Sequence, residues 1–394
     1  MKKHKITPLM AFFLISVLQN IANNLAHPVT PTLIKNLNLG DYMFGVAYAG
    51  MAAGQFIFSP FWGKMTNVIG ERKQMSISVL IYSLSQFLFM ISKTEFSIIF
   101  ARVLSGFAMS GFTVAALTYI IRISNDDNRG QNLTYYTTII TVFSTIGYLI
   151  GGLLGDKEIY FSFMLQVIML ASIGILYLFF IQKNDHLEEL NKKDLIKEIN
   201  PLKSIIQGKN ILTPLLILIF IAGFIASLAG TAYDQSFNYY IKDIFNFKPS
   251  YNGFIKASVG IVSLIANMTI CVWIQKKKDL ATSLLIIFIL CSVSLYALIQ
   301  APSIGILLLI NMFYFATHSL YTPLIQNLCT QYSTSSTHGM IMGFFNSMKS
   351  LGMIIGALIA GFIYNINPQY PFFVASIFFL FSALTMIIYI KKRN

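Results

Sequence analysis

The chain has 394 residues, is 56% hydrophobic and carries a formal charge of +13, with a mean hydropathy of +0.67. So apolar a composition excludes a soluble globular domain, and the placement of the charge excludes nucleic acid as a partner. Of 28 Lys and Arg, 20 lie at the termini or in the even-numbered connections between apolar spans, among them Lys2, Lys3, Lys5, Arg72, Lys73, Arg129, Lys276, Lys277, Lys278, Lys391, Lys392 and Arg393. Lys35, Lys93, Lys157, Lys242 and Lys248 fall on the opposite side. Short loops rich in Lys and Arg stay in the cytoplasm, so both termini are expected there.

Twelve apolar spans follow one another at 8–34, 42–63, 75–92, 96–122, 133–154, 160–182, 212–241, 252–274, 281–299, 303–328, 339–364 and 370–390. A span of about 20 apolar residues crosses a hydrocarbon core as a helix. Continuous apolar runs, rather than strand-length alternation, predict helices and not a barrel. The first span is too long, and too closely followed by the next, for a cleaved signal peptide. The expected fold is an all-α integral membrane protein with twelve transmembrane helices in two pseudo-symmetric six-helix bundles, residues 1–182 and 212–394. Between them, the 183–211 connection is a cytoplasmic linker; Glu188, Glu189, Lys192, Lys193, Asp194, Lys197 and Glu198 predict a short surface helix in it.

The second bundle repeats the first at a shift of about 209 residues: Gly147 falls on Gly356, Gly151-Gly152 on Ala360-Gly361, and Tyr135-Tyr136 on Phe344-Phe345. Internal repeats of this kind build many secondary transporters, with the substrate site at the repeat interface near the bilayer midplane.

Span 1 carries Ser16, Asn20, Asn23 and His27 at three- and four-residue spacing, with Asn24 beside them. Span 7 carries the matching stripe Ser227, Thr231, Asp234 and Asn238. A polar stripe on a membrane helix must face protein or water, so either interhelical hydrogen bonds or a shared aqueous cavity accounts for the two. The third and sixth spans of each half hold no charged residue and are expected to face lipid. Asp234 is the single carboxylate within a predicted span; there it must pair with a cation or take up a proton. With Arg122, the last residue of span 4, counted in the connection that follows it, three cations also lie within spans: Arg102 in span 4, Lys256 in span 8 and Lys349 in span 11. Lys256 is near enough to a helix end to snorkel, whereas Lys349 lies roughly 15 Å into its span. Span 10 places His318 near mid-membrane, a side chain whose charge changes near neutral pH. Tyr148, Tyr314 and Tyr321, with Asn346 beside Lys349, share faces with these polar residues. Cys271, Cys291 and Cys329 are scattered within spans and read as packing residues; no metal site or cofactor is expected.

Several local runs resemble the major facilitator superfamily, and within it the twelve-span drug:proton antiporters, along the whole chain. After span 2 the run Gly63-Lys64-Met65-Thr66-Asn67-Val68-Ile69-Gly70-Glu71-Arg72 is similar to the family's G-x-L-A-D-R-x-G-R-[KR] motif. Asn67 stands for its Asp, and Val68 and Glu71 for two of its arginines, which weakens the charge latch the motif implies. Pro28-Val29-Thr30-Pro31 matches the signature that ends span 1; Arg102 and Gly106 match that of span 4, where the resemblance implies proton transfer or helix contacts for the Arg. Gly147-Tyr148-Leu149-Ile150-Gly151-Gly152 is similar to the span 5 antiporter motif, with Tyr148 for its Pro. Ala232-Tyr233-Asp234 resembles the span 7 segment of quinolone exporters, which implies proton coupling for Asp234. The conformational motifs are thus Pro28, Pro31, Gly63, Gly70, Arg72, Gly106, Gly147, Gly151 and Gly152, with Gly356 and Gly361 in the repeat.

Together these readings predict a multi-pass protein of a bacterial cytoplasmic membrane that exports small amphipathic compounds in exchange for protons, working as a monomer by alternating access. Asp234, Arg102 and His318 are the proton-coupling candidates. Asn20, Asn24, His27, Tyr148, Thr231, Asn238, Lys256, Tyr314, Tyr321, Asn346 and Lys349 are the cavity candidates. Because cations outnumber the one acid, transport of an anionic or zwitterionic solute is the alternative. An intramembrane enzyme is disfavoured, since no paired acids or metal-ligand spacing exist to do acid–base or hydrolytic work.

Overall fold

The structure, a computed structural model, describes residues 7–183, 213–276, 279–332 and 338–393. The surface helix expected in the 183–211 connection lies outside the described residues, as do Lys2, Lys3, Lys5, Lys277 and Lys278. All regular structure among the described residues is helical: α1 (Pro8–Asn24), α2 (Thr30–Asn36), α3 (Met43–Ile69), α4 (Glu71–Ile91), α5 (Glu95–Ile123), α6 (Asp126–Gly155) and α7 (Ile159–Phe180) in the first repeat. The second repeat holds α8 (Pro214–Asp243), α9 (Pro249–Ala266), a π-helical turn (Asn267–Cys271), α10 (Val272–Lys276), α11 (Leu280–Ile299), α12 (Ile304–Thr330), α13 (His338–Tyr364) and α14 (Tyr370–Arg393).

Every predicted span except the first and the eighth falls on a single helix, and ten helical stretches among the described residues are long and apolar enough to cross a membrane. The first two spans fall short for local reasons. Span 1 is not continuous: α1 stops at Asn24 after 17 residues, because Pro28 lacks the N–H that would bond the Asn24 carbonyl. The chain resumes as α2 with Pro31 in its first turn, where a missing N–H costs nothing. In α3 the polar and small residues Gly45, Gly50, Gly54, Gln55, Ser59 and Pro60 dilute the apolar content. This helix also runs on through the motif residues 63–69, and a single residue, Gly70 at φ 77°, separates it from α4. A side chain there would sit in the left-handed region that glycine alone adopts freely. Span 8 is interrupted as well, by the π-helical turn before α10.

The chain forms two compact units. The first gathers Met1–Leu39, Gly50–Pro201 and Phe247–Ala257; the second gathers Gly40–Ala49, Leu202–Asn246 and Ser258–Asn394. Each unit therefore contains a short segment from the other repeat, and the helices α3 and α9 each contribute to both.

Within the first unit α1 packs on α6 and α7, and α4 on α5 and α7. Its core holds Phe12, Met75, Tyr82, Phe112, Tyr119, Tyr136 and Tyr177. The expectation that α4 simply faces lipid needs correction: Ile77, Leu80, Leu84, Phe87 and Ile91 form an exposed stripe, but Gln74, Ser76, Ser78, Ser83, Ser85 and Gln86 are buried on the other side. Gln74 bridges the Trp62 and Gly111 carbonyls at 3.2 and 3.0 Å, and Ser85 meets Ser105 at 2.9 Å. Absence of charge on this helix marks one lipid face, not two.

Within the second unit the packing repeats: α8 lies on α13 and α14, and α11 on α12 and α14. Tyr239 donates to Asp41 at 2.5 Å and Tyr364 to Asp243 at 3.0 Å. Both rings enclose Phe44, at 4.8 and 5.4 Å between centroids. This fastens the start of α3 to the ends of α8 and α13.

Candidate transport site

The repeat that is visible in sequence reappears as matched helix approaches. A Cβ on Gly147 of α6 would overlap the Ile21 carbonyl of α1, and one on Gly356 of α13 the Leu228 carbonyl of α8. Backbones that come this close leave room for no side chain, which is how small residues join membrane helices. Gly106, Gly151, Gly152 and Gly361 sit likewise against the backbones of Met51, Leu25, Pro249 and Tyr42. Gly63 differs: among the described residues nothing lies within 4 Å of where its Cβ would be. Asp156 accepts from the Ser250 backbone N–H at 2.9 Å, capping the start of α9 within the first unit.

In the first unit the stripe of α1 is largely engaged with helix backbone. Asn20 donates to the Ser16 carbonyl at 2.8 Å and Asn24 to the Asn20 carbonyl at 2.9 Å. Gln166 on α7 donates to the Ala22 and Asn23 carbonyls, 2.9 Å each, and Tyr177 donates to Gln19 at 2.6 Å. Asn20 and Asn24 thus turn back on their own helix, the bonds to α7 run through Gln19 and the Ala22 and Asn23 carbonyls, and His27 stacks on Tyr148 with ring centroids 5.5 Å apart. Arg102 is buried, with its guanidinium 3.7 Å over the Phe89 ring and one N–H on Thr30 Oγ1 at 3.3 Å. That hydroxyl donates in turn to the Ala26 carbonyl at 2.9 Å.

The second unit collects the titratable candidates around α8 and α12. Asp234 is half-buried, and its charge reaches the hydroxyls of Tyr48, Tyr233 and Tyr314. Tyr233 is fully buried and donates to Asn311 at 2.5 Å. Its ring lies 4.6 Å from that of Tyr314, which stacks on His318 at 5.2 Å; His318 in turn meets Tyr321 at 4.9 Å. Gly230 makes this possible, since a Cβ there would overlap the His318 ring. The Tyr314 hydroxyl, Asn311 Nδ2 and Asn238 Oδ1 are buried with no hydrogen-bond partner among the described residues. Orphan polar atoms of this kind are stable when water or a ligand reaches them.

The structure thus brings Tyr314, His318 and Tyr321 together, with Asp234 within electrostatic range of Tyr314, and brings His27 and Tyr148 together. Thr231, Lys349 and Lys256 are half-buried, and Asn346 is exposed. Lys256 belongs to the segment that clusters with the first unit, whereas Lys349 lies in the second, where its carbonyl accepts from Ser227 at 2.8 Å. Sequence reasoning missed Tyr48, Asn311 and Gly230; Asn311 was legible only as the repeat partner of Arg102. It also missed a pair at the altered motif. Glu71, which replaces an arginine of the motif, is buried at the start of α4 and pairs with Arg122 at 2.9 Å. Arg122 additionally reaches the Gln182 carbonyl at 3.3 Å. The motif side chain of Arg72 is half-buried, and that of Asn67 lies outside the described residues.

A duplicated bundle of membrane-length helices with titratable side chains inside it is the architecture of a secondary transporter. Comparison with known proteins agrees along the whole chain. The model of the Major Facilitator Superfamily matches residues 12–239 and 219–394. Multidrug resistance protein 2 of Bacillus subtilis (strain 168) is 24% identical over 371 residues, covering 93% of this chain and 91% of that protein. The quinolone resistance protein NorA of Staphylococcus aureus (strain MSSA476) is 23% identical over 350 residues, with 88% and 87% covered. Among solved structures, an inward-facing bacterial homolog of the human lysosomal transporter Spinster superposes with a TM-score of 0.78 at 12% identity, covering 99% of this chain and 97% of that one. The nucleoside transporter NupG gives 0.75 at 14% identity, covering 97% and 100%. The chain belongs to the Major Facilitator Superfamily. It is a multi-pass membrane transporter and not an enzyme.

Proposed function

We propose that this transporter exports small amphipathic compounds from a bacterial cytoplasm in exchange for protons, with both termini on the cytoplasmic side. The observation that carries the reading is the Asp234 cluster: one carboxylate on α8, within electrostatic range of Tyr48, Tyr233 and Tyr314, with His318 stacked on Tyr314. A carboxylate inside a membrane bundle is stable when protonated or paired and costly when bare, so its loading state couples to which side admits water. Alternating access follows if protonation from outside and substrate from inside favour opposite conformations. Tyr314, Tyr321, Phe315 and Phe379 pack around His318 as an aromatic cluster that holds the imidazole in place. Similarity over nine-tenths of the chain to a multidrug resistance protein supports the same substrate class. The transporter acts as a monomer, each chain holding both repeats. Lys2, Lys3, Lys5 and Lys391, Lys392, Arg393 at the two ends support the topology.

Expression in a host depleted of its own exporters tests the reading. Efflux of cationic dyes and quinolones, and tolerance of them, should rise and should collapse on adding a protonophore. Efflux that is absent across dyes, quinolones and organic anions, or that survives the protonophore, would contradict it.

A further inference from the structure

Arg102 presents a physical problem that proton coupling at Asp234 does not solve. Its side chain is buried, yet among the described residues it has a single hydrogen bond, to Thr30 Oγ1, and one ring face, that of Phe89. A guanidinium has five N–H donors and stays protonated throughout the physiological range, so it neither carries a proton through the cycle nor escapes its charge. The titratable groups within electrostatic range of it are Tyr82 and Tyr148; no carboxylate among the described residues is. A cation taken out of water without a counter-charge is strongly unfavourable, and one ring face recovers a minor part of that cost. An anion that enters from outside the protein would supply the missing counter-charge.

We propose that Arg102 is an anion-recognition point that receives the carboxylate of a carboxylate-bearing amphipathic substrate. The surroundings suit that ligand. Thr30 holds the guanidinium through one nitrogen and leaves the others for a two-oxygen group, which the planar fork of Arg matches in geometry. One helical turn before Thr30, His27 stacks on Tyr148, the same tyrosine whose hydroxyl senses the Arg102 charge. This pair offers a flat aromatic face beside the charge, as an aromatic acid requires. The proposal rests on the export reading and sharpens it: the first unit selects the acid group, while the Asp234 cluster of the second handles the proton.

The test is binding to purified protein in detergent, without any gradient, so that its failure leaves proton-driven efflux standing. The probes are dansylglycine and its neutral amide, which differ in the carboxylate alone. Wild type should bind the acid more tightly than the amide. Arg102→Gln should weaken the acid about 10-fold or more, the size of one charge-assisted contact, and leave the amide unchanged. Arg102→Lys, which keeps the charge and loses the fork, should lie between, and serves if the Gln variant does not fold. Equal affinity of wild type for acid and amide would overturn the proposal. So would a parallel loss of both probes in the two variants, which would make Arg102 a purely structural residue.

Discussion

Removing Arg122 should damage this protein more than removing its partner Glu71, and the asymmetry can be worked out from burial. The Glu71 side chain is 2% exposed and the Arg122 side chain 28%, with 2.9 Å between Oε1 and Nε. Arg122→Gln takes this cation away from a buried carboxylate, a loss that costs about 3–5 kcal/mol when both partners are buried. Because Arg122 is partly open to water, the pair is screened and the expected loss falls to about 2 kcal/mol. Glu71→Gln leaves a guanidinium that still reaches solvent, the Gln182 carbonyl and the Tyr119 ring, so about 1 kcal/mol is expected. The double variant should recover part of the Arg122→Gln loss, as a coupled pair does. Exchanging the two residues should recover less, since it puts a cation at the start of α4, the positive end of a helix dipole. Unfolding of purified protein in mixed micelles, followed by Trp fluorescence, measures all four. Equal losses for the single variants, with strict additivity in the double, would refute the reasoning.

Two further predictions concern packing. Gly147→Ala should reduce folded yield, because its Cβ would overlap the Ile21 carbonyl, whereas Gly63→Ala should be neutral or stabilising by up to about 1 kcal/mol, since its Cβ meets nothing among the described residues and Ala is the better helix former. Thermal stability in detergent compares them, and equal effects would contradict the close-approach argument. Tyr239→Phe should cost roughly 1.5–3 kcal/mol by the same measurement, as it removes a hydrogen bond to the Asp41 carboxylate. No loss would mean that this bond contributes nothing to holding the start of α3.

Much of the architecture was legible because membrane spans announce themselves by length, and because the repeat tied Gly147 to Gly356 before any contact was known. What stayed hidden were pairings between distant residues. Glu71 looked like a loss when set against the motif; its partner Arg122 lies two helix lengths on, 51 residues away, and no spacing connects them. The stripe of α1 was ambiguous for a physical reason: Asn20 and Asn24 satisfy themselves on their own helix, and nothing in a polar residue's position says whether it turns inward on the backbone or outward to a cavity. The break at His27 and Pro28 was written in the prolines, but the apolar run across it hid the end of α1. Asn311 could be seen in the sequence only as the repeat partner of Arg102, and nothing there showed that it bonds the buried Tyr233 hydroxyl.

The role of Asp234 is best tested in proteoliposomes, by comparing wild type with Asp234→Asn in two modes. Wild type should transport substrate against its gradient when a pH gradient is imposed, and should also exchange labelled for unlabelled substrate when none is present. In Asp234→Asn, pH-driven transport should fall to the level of empty liposomes while exchange persists, because substrate still binds and no titratable carboxylate remains to couple it to protons. If Asp234→Asn retains pH-driven transport at the wild-type rate, Asp234 is not the coupling site and proton coupling through the α8 cluster is wrong.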